Sequence, residues 1–531
     1  MKIPIIAITR CFITVLLVTS CLRAFAAIEV PDQKPVLIFA QIRTLEPVNQ
    51  VTVQYVENPM NVLIGAPAPG HDFIEPEIGS LIDGTYGSRT FSWSADSAHP
   101  GRITLSIGYK KLIDDFLVFP GDSIQLMFDE YSGHLVFNGP AADHFNLQYR
   151  LQRLQSEIYF SNPVNISSYN IESMFRNGNT YEQFLLDQNN RFGRKVNINK
   201  IDPPIMLENL ISKIQDQKDL DPFIRLLDQD TKVDESIKLS IRNKFLDSRF
   251  TVYAKNLGSL LGYSVKLNDG ESLNKILVYI QDVLIPDLLR EGELLGNGNF
   301  HPFLSTISEL VKISAPYTHL GDQKAMILQN FEGDIKDQLL ASMLFLEYRR
   351  GIKTDSELRE MNKSINHRAS LELTEELLGK TEKGKQVRYF EFTDENGKRT
   401  DIKDLKGYYL FVYTYFDGCN ASSSYFKNVV QHVAGHFGDS DKLLFVAISA
   451  DRTKAIWESA VKSGNYSDHH ILNLLAMDQG VYHPFFSYYN LIGFPSQMLL
   501  DPNGNIAAVS GLNRSADELT EMLEKLLEKE D

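Results

Sequence analysis

The chain has 531 residues, 43% of them apolar and 23% charged, and a formal net charge of -15. That length predicts a few domains of roughly 150 residues each, with enough apolar mass for several cores. The acidic balance, with no basic stripe, argues against a nucleic-acid footprint.

Residues 1–26 read as an export signal. Lys2 and Arg10 supply positive charge, residues 12–18 form a short apolar core, and Ala24-Phe25-Ala26 is a small-x-small cleavage site. Val18-Thr-Ser-Cys21 also fits a bacterial lipobox, which would put lipid on Cys21. Either reading sends the mature chain to the periplasm or cell envelope, with membrane attachment only if Cys21 is lipidated. The apolar run is too short for a confident membrane span. Cys11 and Cys21 lie in the signal, so the exported chain keeps one free thiol, Cys419. A disulfide framework is then excluded, and a lone cysteine outside the cytosol is either reactive or buried.

Residues 27–140 predict a β-rich, sandwich-like domain. Pro35-Val-Leu-Ile-Phe-Ala-Gln-Ile42 is an apolar strand run, and Val51-Thr-Val-Gln-Tyr-Val56 and Ile103-Thr-Leu-Ser-Ile107 alternate with period two. Further short strands end at the turn signals Pro120-Gly-Asp122 and Asn138-Gly-Pro140.

Residues 141–380 change to helical spacing and predict an all-α region. Leu207, Leu210 and Ile214 form one apolar stripe, and Ile335, Leu339, Met343 and Leu346 another. Asp202-Pro-Pro204 reads as a helix start, and Pro286 as the end of a helix that carries Leu273, Ile276, Leu277 and Ile280. These stripes read as core packing.

After a polar joint at 378–387, residues 386–531 alternate strands with helices. A strand enters the turn Asp394-Glu-Asn-Gly397, residues 408–415 form a central strand, and 423–436 a helix. A buried strand at 443–448 and a helix at 453–463 follow. Strands at 497–500 and 505–509 flank Asp501-Pro-Asn-Gly504, and an amphipathic helix closes the chain. This order specifies an α/β sheet with helices on both faces. Cys419 falls at or just before a helix start, where unpaired N–H groups and the helix dipole favour a thiolate. Three residues later stands Ser422.

The ordered set Phe392-Thr-Asp-Glu-Asn-Gly397, Asp404-Leu-Lys-Gly407, Cys419, Ala450-Asp451 with Trp457, and Gly493-Phe-Pro495 resembles the thioredoxin superfamily, most closely its periplasmic TlpA-like branch. The match covers 386–531. The resemblance implies a thioredoxin-like fold, Cys419 as the attacking thiol, and a cis bond before Pro495. It also implies a peptide-accepting edge formed by Gly493, Phe494 and Pro495. The departures are specific. Gly418 stands where the family has tryptophan, Ser422 where it has the second cysteine, and Phe416 where a peroxidase would need threonine. A single sulfur attacks a disulfide but cannot release the product by internal attack. The expected activity is therefore thiol–disulfide exchange by a monothiol variant with Cys419 and Ser422 at the site. Its partners would be exported proteins or a thiol reductant. The competing expectation is a non-catalytic envelope protein that uses the fold to bind peptides. Ser422 also reads simply as a first-turn or capping residue. No cofactor or metal site is implied, since His432 and His436 share a helix face without a third ligand.

Overall fold

The computed structural model describes residues 34–528, apart from 58–69, 82–83, 85–86, 109, 175–179, 296–299, 439 and 469. The export signal, Cys11, Cys21 and His469 lie outside the described residues. No described helix is long and apolar enough to cross a membrane.

The first region is two packed sheets. One has five strands, in the order Glu77–Ile78, Arg89–Ser97, Lys34–Arg43, Ser123–Asp129 and His134–Asn138. The other has four, in the order Gly70–Ile74, Val51–Glu57, Gly101–Ile107 and Lys110–Val118. Alternation decides which side chains enter. Val36, Ile38, Ala40 and Ile42 point inward and meet Val51, Val53, Ile103 and Leu105, while Phe39 between them is exposed.

The middle region is mainly helical. Asp202 caps Pro203–Asp216 by accepting the Ile205 N–H, as the Asp-Pro-Pro start predicts. The expectation of an all-α region is corrected in one place: Val164–Ser168 and Val196–Lys200 form a two-stranded parallel sheet across the helix Tyr181–Phe192. Their sequences, Val-Asn-Ile-Ser-Ser and Val-Asn-Ile-Asn-Lys, alternate with period two, and that short signal is easily lost among helical stripes. Pro286 does not end its helix. The hydrogen bonding widens to the π type over Tyr279–Leu284, and the helix continues through Ile285–Leu295. A proline lacks the N–H that would bond Asp282 and crowds its carbonyl, and a wider turn relieves both.

The last region is a seven-stranded mixed sheet, in the order Arg399–Asp401, Glu391–Asp394, Leu472–Leu475, Leu443–Ser449, Tyr409–Tyr415, Gln497–Leu500 and Ile506–Ala508. Every residue of Tyr409–Tyr415 is buried. It runs parallel to Leu443–Ser449 and antiparallel to Gln497–Leu500. Phe411, Tyr413 and Phe445 face a core closed by residues 420–437, Lys454–Ser463 and Ala516–Leu527. Leu410, Val412, Val446, Ile448, Met498 and Leu500 face the other way, into one continuous core with Leu339, Leu340, Leu344 and Tyr348 of the helical region. Helices do cover both faces, and the core on one of them is shared with helices from before residue 380. The polar joint is part of this arrangement. Gly384 N–H donates to the Ile506 carbonyl at 2.8 Å, and Val387 N–H to that of Gly504 at 3.0 Å, beside the sheet edge.

Candidate functional site

The central strand delivers the chain to the site. After Tyr415 it leaves the sheet, turns through Phe416, Asp417 and Gly418, and enters a helical segment of Asn420–Tyr425, the π-type Phe426–Val430 and Gln431–Phe437. Cys419 is the residue that precedes the first helical position, with extended backbone (φ -81°, ψ 102°). Its N–H bonds the Phe416 carbonyl at 3.2 Å, and its own carbonyl accepts the Ser423 N–H at 3.0 Å. Gly418 has φ 83°, a left-handed conformation that glycine adopts without strain and tryptophan would not.

Cys419 is partly exposed and free, with no other cysteine among the described residues. Its Sγ–H donates to the Phe494 carbonyl oxygen at 3.8 Å. The Phe494–Pro495 bond is cis. Gly493, Phe494 and Pro495 are all partly exposed, so the structure brings these three residues and Cys419 to one surface. The loop is held from below, where Ser496 N–H donates to Thr414 Oγ1 at 2.9 Å and Thr414 N–H to the Ser496 carbonyl at 2.9 Å. The Phe494 ring packs edge-on against Phe416 at 5.3 Å and against Phe486 at 5.5 Å, giving the site an aromatic wall.

Ser422 lies in the first helical turn, 2% exposed, and its Oγ has no hydrogen-bond partner among the described residues. Its hydroxyl makes no bond to the Cys419 sulfur. Beneath the turn lies a layer of buried phenols. Burial pushes Tyr413, Tyr415 and Tyr425 up from the ordinary tyrosine range, which keeps all three protonated and neutral.

Two residues that sequence reasoning did not place at the site touch it. Asp451 Oδ1 accepts the Asp417 N–H at 2.9 Å, and the Tyr466 hydroxyl accepts the Gly418 N–H at 2.8 Å. Burial raises the Asp451 carboxyl above the usual carboxylate range, against the lowering effect of the Asp417 N–H and Ser449 hydroxyl. Asp451 was visible only as part of a strand-exit motif, and no signal marked Tyr466.

The histidine pair lies elsewhere. His432 and His436 are exposed, and His436 Nε2 meets Glu524 Oε1 at 2.8 Å. Among the described residues no group of three His, Cys, Asp or Glu side chains could hold a metal ion.

No family model and no curated protein matches the chain. Solved structures similar to it include the thioredoxin domain of a thiol-disulfide oxidoreductase from Bacteroides vulgatus, 24% identical over 27% of this chain and 96% of that one, with a TM-score of 0.23. A thiol:disulfide interchange protein from a Bacteroides species is 24% identical over 28% of this chain and 90% of its own, with a TM-score of 0.23. A thioredoxin-like protein from Bacteroides caccae is 14% identical over 49% of this chain and 84% of its own, with a TM-score of 0.26.

Proposed function

We propose that the C-terminal region is a thioredoxin-like module for thiol–disulfide exchange, a monothiol variant in which Cys419 attacks and an external thiol resolves. One observation carries this reading: a partly exposed sulfur at a helix start sits 3.8 Å from the carbonyl that precedes Pro495. Disulfide exchange needs an accessible sulfur and backbone groups beside it to hold the partner, and the partly exposed Cys419 next to the Phe494 carbonyl supports that reading.

In the proposed step, Cys419 as a thiolate attacks one sulfur of a partner disulfide. That S–S bond breaks, a new one joins Cys419 to the partner, and the other partner sulfur leaves as a thiolate that takes a proton from water. Serine at 422 offers no internal sulfur for release. An external thiol therefore attacks the partner's sulfur, forms a disulfide with it and frees Cys419 as a thiolate. A second equivalent of that thiol completes the reduction. Gly493, Phe494 and Pro495 line the edge along which the partner would lie, with the Phe416 and Phe494 rings favouring an apolar residue beside the disulfide. Partners would be exported proteins and a thiol reductant of the periplasm or cell envelope.

The deciding assay is thiol-dependent reduction of a protein disulfide by the full chain. Cys419→Ser is expected to abolish it. Equal rates for the two proteins would overturn the proposal.

A further inference from the structure

We propose that Asp451 and Tyr466 are positioning residues for the Cys419 sulfur, a two-point anchor for the turn that presents it. The inference deepens the exchange reading and rests on it for its purpose, although the geometry stands separately.

The turn from Phe416 to Cys419 belongs to neither the strand nor the helix, so its backbone donors have no regular partners. Each of three consecutive N–H groups finds a different oxygen. Asp417 N–H bonds Asp451 Oδ1 at 2.9 Å, Gly418 N–H the Tyr466 hydroxyl at 2.8 Å, and Cys419 N–H the Phe416 carbonyl at 3.2 Å. Two of the three bonds come from side chains far away in the chain. Both anchors are themselves fixed, each 6% exposed. The Ser449 hydroxyl donates to Asp451 Oδ2 at 2.7 Å, and Asp451 N–H donates back to Ser449 Oγ at 3.0 Å. The Tyr466 ring stacks on Tyr415 at 5.4 Å with 7° between the planes, and its carbonyl accepts the Tyr413 hydroxyl at 2.8 Å.

The arrangement has a chemical consequence. A turn containing a left-handed glycine has many accessible conformations. Tying its two exposed residues to rigid core groups leaves Sγ facing Phe494. Without the anchors, the turn spreads over conformations in which the sulfur is misdirected, and the reactive population falls.

The test uses the full chain and three substitutions. Tyr466→Phe removes one oxygen and keeps the ring stack. Asp451→Ala removes the acceptor for Asp417, whereas Asp451→Asn keeps an acceptor oxygen in place. The readouts are the rate at which Cys419 reacts with a small aromatic disulfide, its rate with a maleimide, and hydrogen exchange at the amides of 417 and 418. These rates need no protein substrate, so they report on positioning whether or not protein disulfides are reduced. The expected result is an approximately tenfold slower reaction with the aromatic disulfide for Tyr466→Phe and for Asp451→Ala, the scale set by loss of about one hydrogen bond. Amide exchange at 417 and 418 should be faster in those variants, and Asp451→Asn should stay near wild type. Wild-type rates and exchange in Tyr466→Phe would overturn the proposal, as would Asp451→Asn falling as far as Asp451→Ala. Should Asp451→Ala fail to fold, Tyr466→Phe and Asp451→Asn decide between these outcomes.

Discussion

The Tyr348 hydroxyl donates to the Tyr489 carbonyl oxygen at 2.7 Å, and both residues are buried. Tyr348 lies on the helix Gly333–Arg350, and Tyr489 directly follows Pro484–Tyr488 on the sheet side. The Tyr489 hydroxyl in turn accepts the Arg388 N–H at 2.8 Å, which ties in the connecting segment. Tyr348→Phe keeps the ring and leaves a buried carbonyl short of a donor. The expected cost is about 1–2 kcal/mol, read as a lower urea midpoint at unchanged helix content.

The shared core sets what can be cut away. Leu410, Val412, Val446 and Ile448 are at most 1% exposed, in a core that the sheet shares with the helical region. A fragment of residues 386–531 would show this apolar face to water and is expected to associate. Size-exclusion chromatography checks it: the fragment should elute as a broad, associated species and the full chain as a single defined one.

Ser422 is buried in the first helical turn after Cys419, and cysteine there exchanges one oxygen for a larger sulfur. Ser422→Cys should supply the missing second sulfur. With a disulfide partner and no added thiol, the wild type should accumulate a covalent Cys419–partner adduct, visible on a non-reducing gel. The variant should release the partner reduced and end with its own 419–422 disulfide. Persistence of the adduct in the variant would show that position 422 cannot reach the sulfur.

Two buried groups give opposite pH dependences in one window. Burial holds the Asp247 carboxyl at about 6, although Thr306 and Ser305 donate to it, against a usual value of 3.8. The folded state therefore binds the proton more tightly than the unfolded chain. The stability this contributes is full below about pH 4 and is lost as pH rises through 6, by about 3 kcal/mol. Burial lowers His483 to about 4 from 6.5, with its Nε2 on the Glu391 carbonyl at 3.0 Å. Its contribution has the other sign, growing as pH rises from 4 to 6.5. Urea midpoints of wild type and Asp247→Asn between pH 4 and 7 should differ in slope, the variant losing less stability as pH rises. His483→Gln should flatten the opposing rise.

Much of this architecture was legible from residue spacing. Period-two alternation placed Val51–Glu57 and Gly101–Ile107, the Asp-Pro-Pro start placed Pro203–Asp216, and the apolar run into Asp417-Gly418 put Cys419 at a helix start. What failed was non-local or short. Leu472–Leu475 has four residues with no alternation, and its pairing with Leu443–Ser449 is a property of the finished sheet. The apolar residues of Tyr409–Tyr415 read the same whichever helices cover them, so the shared core left no mark in the sequence. Asp451 and Tyr466 reach the turn across 34 and 48 residues, and no local pattern encodes such a bond.

The common core also gives the chain a direction of assembly. Segments leave the ribosome in order, and domains formed early wait for those made later. The helix Gly333–Arg350 is complete before the strand Tyr409–Tyr415 is synthesised, so the greasy side of the last sheet finds its berth already built. A circular permutant that begins at the sheet would leave that side bare until the helix is made, and is expected to aggregate more during synthesis.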